Sequence, residues 1–178
     1  MDHINGLPLH PLIVHIPVAM LPLAFLGVAV MMIRRAWYER YRWVVLVIGA
    51  IGTLGAILAA ATGESLESDV RRTEGASALR SIHEHAEAGD VARTVAILFF
   101  VALAAWVTIP WYLDRRTARQ DSGGSGHDAR GTTVTRTALM IATAVLATAS
   151  VVTVYQAGHS GATSVWHDQT VSEPSNGG

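Results

Sequence analysis

Four long apolar runs dominate this chain, and any fold it adopts must first find a place for them. They extend roughly over Pro11 to Ile33, Val44 to Thr62, Val95 to Leu113 and Thr137 to Ala157. As helices rising about 1.5 Å per residue, these runs match a bilayer hydrocarbon core of about 30 Å. Only 15% of the residues are Asp, Glu, Lys or Arg, against about 25% in an ordinary soluble domain. Four such lengths are too many for the buried core of one small soluble bundle. The expected fold is therefore all-α: an integral membrane four-helix bundle forming a single domain over residues 1–170, followed by a disordered tail at 171–178. The first run is too long, and too poor in basic residues before it, for a cleaved signal peptide, and is expected to stay as a span.

The basic residues are all arginine and are unevenly shared between the connections. Arg34, Arg35, Arg40 and Arg42 follow the first run, and Arg115, Arg116, Arg119, Arg130 and Arg136 follow the third. The other side holds Arg71, Arg72, Arg80 and Arg93, and the two tails hold none. The positive-inside rule then puts the first two groups in the cytoplasm and both termini on the outer (periplasmic or extracellular) side. Trp37, Trp43, Trp106 and Trp111, with Tyr38, Tyr41 and Tyr112, fall near the cytoplasmic span ends and read as an aromatic belt. Residues 120–133 include DSGGSGHDARG and read as a flexible cytoplasmic linker, with His127 solvated in it. The outer connection from Gly63 to Arg93 has no Pro and few Gly, so it reads as short helix lying over the outer bundle face.

Several chemistries are excluded outright. Without lysine there is no Schiff base. Without cysteine there are no disulfides, thiolate nucleophiles, iron–sulfur ligands, Cys-type zinc sites or covalent haem. A formal net charge of −1 gives no pull towards nucleic acid. Neither HExxH, nor a phosphate loop, nor a recognisable Ser–His–Asp spacing is present, so a redox carrier or accessory subunit fits better than a hydrolytic enzyme.

Histidine is the residue left to explain. On this topology His3, His10, His15, His83, His85, His159 and His167 all fall at the outer face, and only His127 does not. Imidazole binds haem iron, zinc and copper and titrates near neutrality. His10 precedes Pro11 and can be a helix-start residue. His15 lies about one turn inside an apolar helix, where a polar side chain either bonds a carbonyl freed by Pro17 or Pro22 or serves as a ligand. His83 and His85 point about 160° apart in a helix, so one at most faces the bundle. His159 sits between Gly158 and Gly161, which allow close approach of backbone or ligand. On span two, Gly52, Ala56 and Ala60 form a small-residue stripe beside Gly55, Ala59 and Gly63. The first stripe leads to Glu64, and Glu67 follows; either carboxylate can orient an imidazole, bind metal, or end a helix in solvent.

LHPLIVHIPVAMLPLAF, ATGESLE, the His–Glu stretch before span three and AGHSGATSVW together resemble a family of bacterial four-helix membrane proteins, domain of unknown function 2231. The resemblance covers nearly all of the chain outside its tails and cytoplasmic linker. It implies a haem- or redox-associated domain of the bacterial cytoplasmic (inner) membrane; the iron–sulfur modules sometimes joined to such domains have no counterpart here.

The leading expectation is a b-type-cytochrome-like electron relay at the outer face. His15 with His159 or His85 would hold haem b, His10 and His83 would stand nearby, and the small-residue face of span two would make room. The alternative is a divalent zinc, iron or copper site built from His15, His85, His159, Glu64 and Glu67. A third reading is an accessory subunit without cofactor. Expected partners are membrane lipid, a redox or membrane protein at the outer face, and a second copy of the chain.

Overall fold

The structure is a computed structural model that describes the backbone of residues 3–4, 7–73, 76–117 and 127–171, with side chains over 12–63, 86–116, 131 and 133–159. Four helices carry the fold: α1 (Leu9–Ile33), α2 (Arg35–Thr73), α3 (Ala76–Thr117) and α4 (His127–Val171). They pack as a ring in which α1 lies on α2, α2 on α3, α3 on α4, and α4 returns to α1. Ahead of them, β1 (His3–Ile4) and β2 (Leu7–Pro8) pair antiparallel, with His3 opposite Pro8 and Ile4 opposite Leu7. This two-rung ladder is an addition to the all-α expectation.

All four helices are long and apolar enough to cross a membrane, over Leu12–Ile33, Arg35–Gly63, Ala86–Arg116 and Thr133–His159. In the most apolar stretch of each, only 22% to 39% of the residues are buried inside the protein. Leu23, Leu26, Val47, Leu54, Leu98, Val101, Ile141 and Val145 point outwards. Water would not tolerate so continuous an apolar exterior. Lipid is the solvent for these faces.

The interior is correspondingly built from small and medium residues. Ala24, Ala56, Ala92, Ala96 and Ala147 are buried beside Leu21, Val28, Phe99, Leu103 and Val107. The small-residue face of α2 does bring backbones together, as its spacing suggested, and its neighbours are specific. A Cβ on Gly55 would lie 2.6 Å from Ile16 Cγ2 and 2.9 Å from Pro17 Cδ, and one on Gly52 would lie 2.9 Å from Leu21 Cδ2. Gly27 on α1 answers in kind, receiving Val45 from α2. Thr53 adds a polar tie, its hydroxyl donating to the Ala96 carbonyl of α3 at 3.1 Å.

A second tie repairs a break in α3. Pro110 has no N–H, so the carbonyl of Trp106, four residues earlier, loses its helical donor. The Tyr38 hydroxyl of α2 donates to that carbonyl at 2.8 Å, and the two rings lie 5.1 Å apart. In a membrane the freed carbonyl has no water to turn to, which is why a neighbouring helix supplies the donor.

Three connections differ from expectation. Arg34 alone separates α1 from α2, its carbonyl accepting from the Trp37 and Tyr38 amides at 3.0 and 3.2 Å. The 1–2 connection is thus one residue, because RAWYERYR continues as the first turns of α2. The 2–3 segment forms no separate short helices over the bundle face: α2 continues to Thr73 and α3 begins at Ala76. With no Pro within these extensions, the hydrogen-bond ladder of each span runs on as far as Thr73 in α2 and from Ala76 in α3. α4 begins at His127, so residues 127–133 of the expected 120–133 linker are helical, while 120–126 lie outside the described residues. Of the 171–178 tail, Val171 closes α4 and the remainder lies outside the described residues.

Two outcomes test this packing. Gly55→Val should destabilise the detergent-solubilised protein by about 1–3 kcal/mol through overpacking, whereas Gly89→Ala, which meets nothing within 4 Å, should raise stability by about 0.5–1 kcal/mol. Tyr38→Phe should cost about 1–3 kcal/mol by orphaning the Trp106 carbonyl. The same change in a Pro110→Ala background, where an N–H returns to that carbonyl, should cost clearly less; equal losses in both backgrounds would mean the hydroxyl has another role.

Candidate functional site

The antiparallel order gives the bundle two chemically distinct ends. Where α1 begins, α2 ends, α3 begins and α4 ends, the chain places His10 and His15, Glu64 and Glu67, His83 and His85, and His159 respectively. Helix connectivity alone therefore gathers the expected ligands at one end, together with His3 on β1 and His167 on α4.

Side chains are described for two of them. His15 lies on an exposed face of α1, in the outward stripe that includes Leu12 and Leu23. His159 is likewise exposed on α4, its ring stacked on Tyr155 one turn earlier, with centroids 6.1 Å apart and planes within 7°. Their helices are neighbours in the ring. The side chains of His10, His83, His85, Glu64 and Glu67 lie outside the described residues. Among the described residues, no three His, Asp or Glu side chains come together as a metal site.

One element of the haem expectation is corrected. A macrocycle lying flat against the small-residue face of span two has no room there, because Ile16, Pro17, Met20 and Leu21 of α1 already fill it. Small residues mark close helix approach, and here the approaching body is another helix of the same chain. A haem laid against Gly52 and Gly55 does not fit this interface.

The opposite end holds a cavity of about 550 Å³ to which all four helices contribute. Its walls are apolar at Met31 and Met32 of α1, Trp106 and Pro110 of α3 and Met140 of α4. Arg35, Arg42, Arg115 and Arg136 also line it, as do Glu39 and Asp114. Arg35 pairs with Glu39 at 3.1 Å, and Arg136 pairs with Asp114 across α3 and α4. Arg42 lies 5.7 Å over the Tyr38 ring, and Arg115 lies 4.1 Å over Trp111. The Nε atoms of Arg42 and Arg136 are buried and, among the described residues, have no hydrogen-bond partner. A buried donor left unsatisfied costs about 1–3 kcal/mol, more when charged.

Sequence reasoning read these arginines and aromatics only as markers of orientation. Trp106 is in fact 5% exposed and turned into the bundle, and Tyr38 is half-buried against it. Pro110 was the available signal, since a proline inside a span frees a carbonyl that something must answer.

Comparison with known proteins agrees with the architecture. A family model described as "Predicted membrane protein (DUF2231)" matches residues 6–174. The chain belongs to this family. No curated protein and no solved structure matches it. The match embraces both ends of the DUF2231 bundle, from ahead of His10 to beyond His167.

Proposed function

We propose that this DUF2231 protein holds an imidazole-ligated metal centre, either haem b iron or a zinc, iron or copper ion, at the histidine-bearing end of its bundle. With haem b it acts there as an electron relay rather than a hydrolytic enzyme; a zinc ion, which has no redox chemistry, would hold the site structurally instead. The observation that carries this reading is the convergence of His10, His15, His83, His85 and His159, with Glu64 and Glu67, on one end of an antiparallel ring. Exposure of His15 and His159 on adjacent helices supports a centre at the rim of the bundle instead of its interior. His15 and His159 are the proposed ligands, His85 the third, with Glu64 or Glu67 orienting an imidazole or completing an ion site. A bound haem would supply one-electron chemistry tuned by its ligands and burial.

Among the described residues, Arg34, Arg35, Arg40, Arg42, Arg115, Arg116, Arg130 and Arg136 lie towards the other end. This supports a placement in the bacterial cytoplasmic membrane with both termini and the histidines outside. Electrons would then be exchanged at the outer face with a partner docking there. A second reading, an accessory subunit without cofactor, is favoured by the filled α1–α2 interface.

An oxidised-minus-reduced absorption spectrum of detergent-purified protein, with metal analysis on the same sample, separates these readings. A reduced α-band marks haem, and about one equivalent of metal without a Soret band marks the ion site. His15→Ala and His159→Ala should each empty the site, and His127→Ala should leave it loaded. Cofactor retained in both outer-end variants would remove the proposed ligands, and neither chromophore nor metal in freshly extracted membranes would favour the accessory subunit.

A further inference from the structure

The cavity at the arginine-bearing end carries charge that its own residues do not balance. Four guanidiniums and two carboxylates line it, and the pairs Arg35–Glu39 and Arg136–Asp114 use both carboxylates. Among the described residues, Arg42 and Arg115 are left with aromatic faces as their neighbours instead of counter-ions. Buried Nε–H groups on Arg42 and Arg136 add two donors without acceptors. The Tyr38 hydroxyl does not compete for the same occupant as a donor, because its proton is committed to the Trp106 carbonyl.

An oxyanion answers the unbalanced guanidinium charge. A phosphate offers several acceptor oxygens, and guanidinium–phosphate bonds are among the stronger charge-assisted ones. The remaining wall narrows the choice further: Met31, Met140 and Trp106 present hydrocarbon, so the occupant has an apolar part as well as an anionic one. Depth narrows it again. The cavity lies at the ends of the four spans, close to the edge-to-face pair Trp43–Trp111, and this interfacial level is where lipid headgroups reside. We infer that the cavity is a binding site for an anionic membrane phospholipid, with its phosphate received by Arg42 and Arg136 and its hydrocarbon against the methionine wall. The site is independent of the histidine-bearing end.

The test uses the full chain in mixed micelles, with brominated phosphatidylglycerol or brominated phosphatidylcholine as the quencher of tryptophan fluorescence. Phosphatidylglycerol should bind about tenfold more tightly than phosphatidylcholine, a clear difference in site affinity. Arg42→Gln should abolish that preference. Arg40→Gln removes the same charge from an exposed position outside the cavity and should retain it. Equal loss in both variants would reduce the effect to general surface charge and overturn the site. Displacement of the lipid by millimolar inorganic phosphate would assign the pocket to free phosphate and overturn the lipid. Should Arg42→Gln fail to fold, Met140→Trp fills the cavity without altering its charge; an undiminished preference there would equally overturn the proposal.

Discussion

Lipid surrounds these four spans with a medium as apolar as their own interior, so burying hydrocarbon does little to hold them together. Association then depends on how closely the helix backbones approach and on the few polar ties between them. Both devices are visible. Gly27, Gly52 and Gly55 let α1 and α2 close on each other, and Gly49 receives Leu103 from α3. Thr53 and Tyr38 then bind α2 to carbonyls of α3 at two levels. The second half of the ring relies more on shape, with Ala92, Ala96 and Phe99 of α3 and Ala147 and Val154 of α4 in the shared core. Thr143, fully buried, turns its hydroxyl back to the Leu139 carbonyl of its own helix.

This economy of polar groups along the middle of the bundle throws the chemistry to its ends. One end concentrates imidazoles and carboxylates; the other concentrates guanidiniums and indoles around a void. The two differ in the charge they present, imidazole and carboxylate at the first and guanidinium at the second. Nothing polar enough to conduct charge joins them: the described interior between contains Thr53, Thr143 and Ser150 as its buried polar side chains.

The architecture was largely legible because apolar run length is a one-dimensional signal. So was the packing face of α2, since only small residues recur at Gly52, Gly55 and Ala56. What a span's sequence does not reveal is direction. α1 is apolar on every side, so its periodicity does not distinguish the face meeting α2 from the face meeting lipid. For that reason His15 could be placed at a level but not on a side, and the space beside Gly52 was assigned to a ligand when Leu21 occupies it. The arginine cavity was illegible for a related reason. Arg42, Asp114 and Arg136 are brought together by three helices, and nothing in their separate neighbourhoods announces the meeting. The histidine end was legible as a gathering, and its coordination geometry was not, because His83, His85, Glu64 and Glu67 acquire meaning only through their mutual distances.

The single non-helical residue at Arg34 has a consequence for alignment. Val45 meets Gly27, Leu21 meets Gly52 and Ile16 meets Gly55, three rungs that step outwards from the same pivot. A longer connection would let one helix slide along the other until different rungs matched. With one residue at the pivot there is no slack, and adding a residue to α2 just beyond it would rotate the rest of that helix by about 100° and carry its glycines away from α1. The joint is thus a ruler, and the rungs that depend on it begin immediately beyond the arginine-lined cavity.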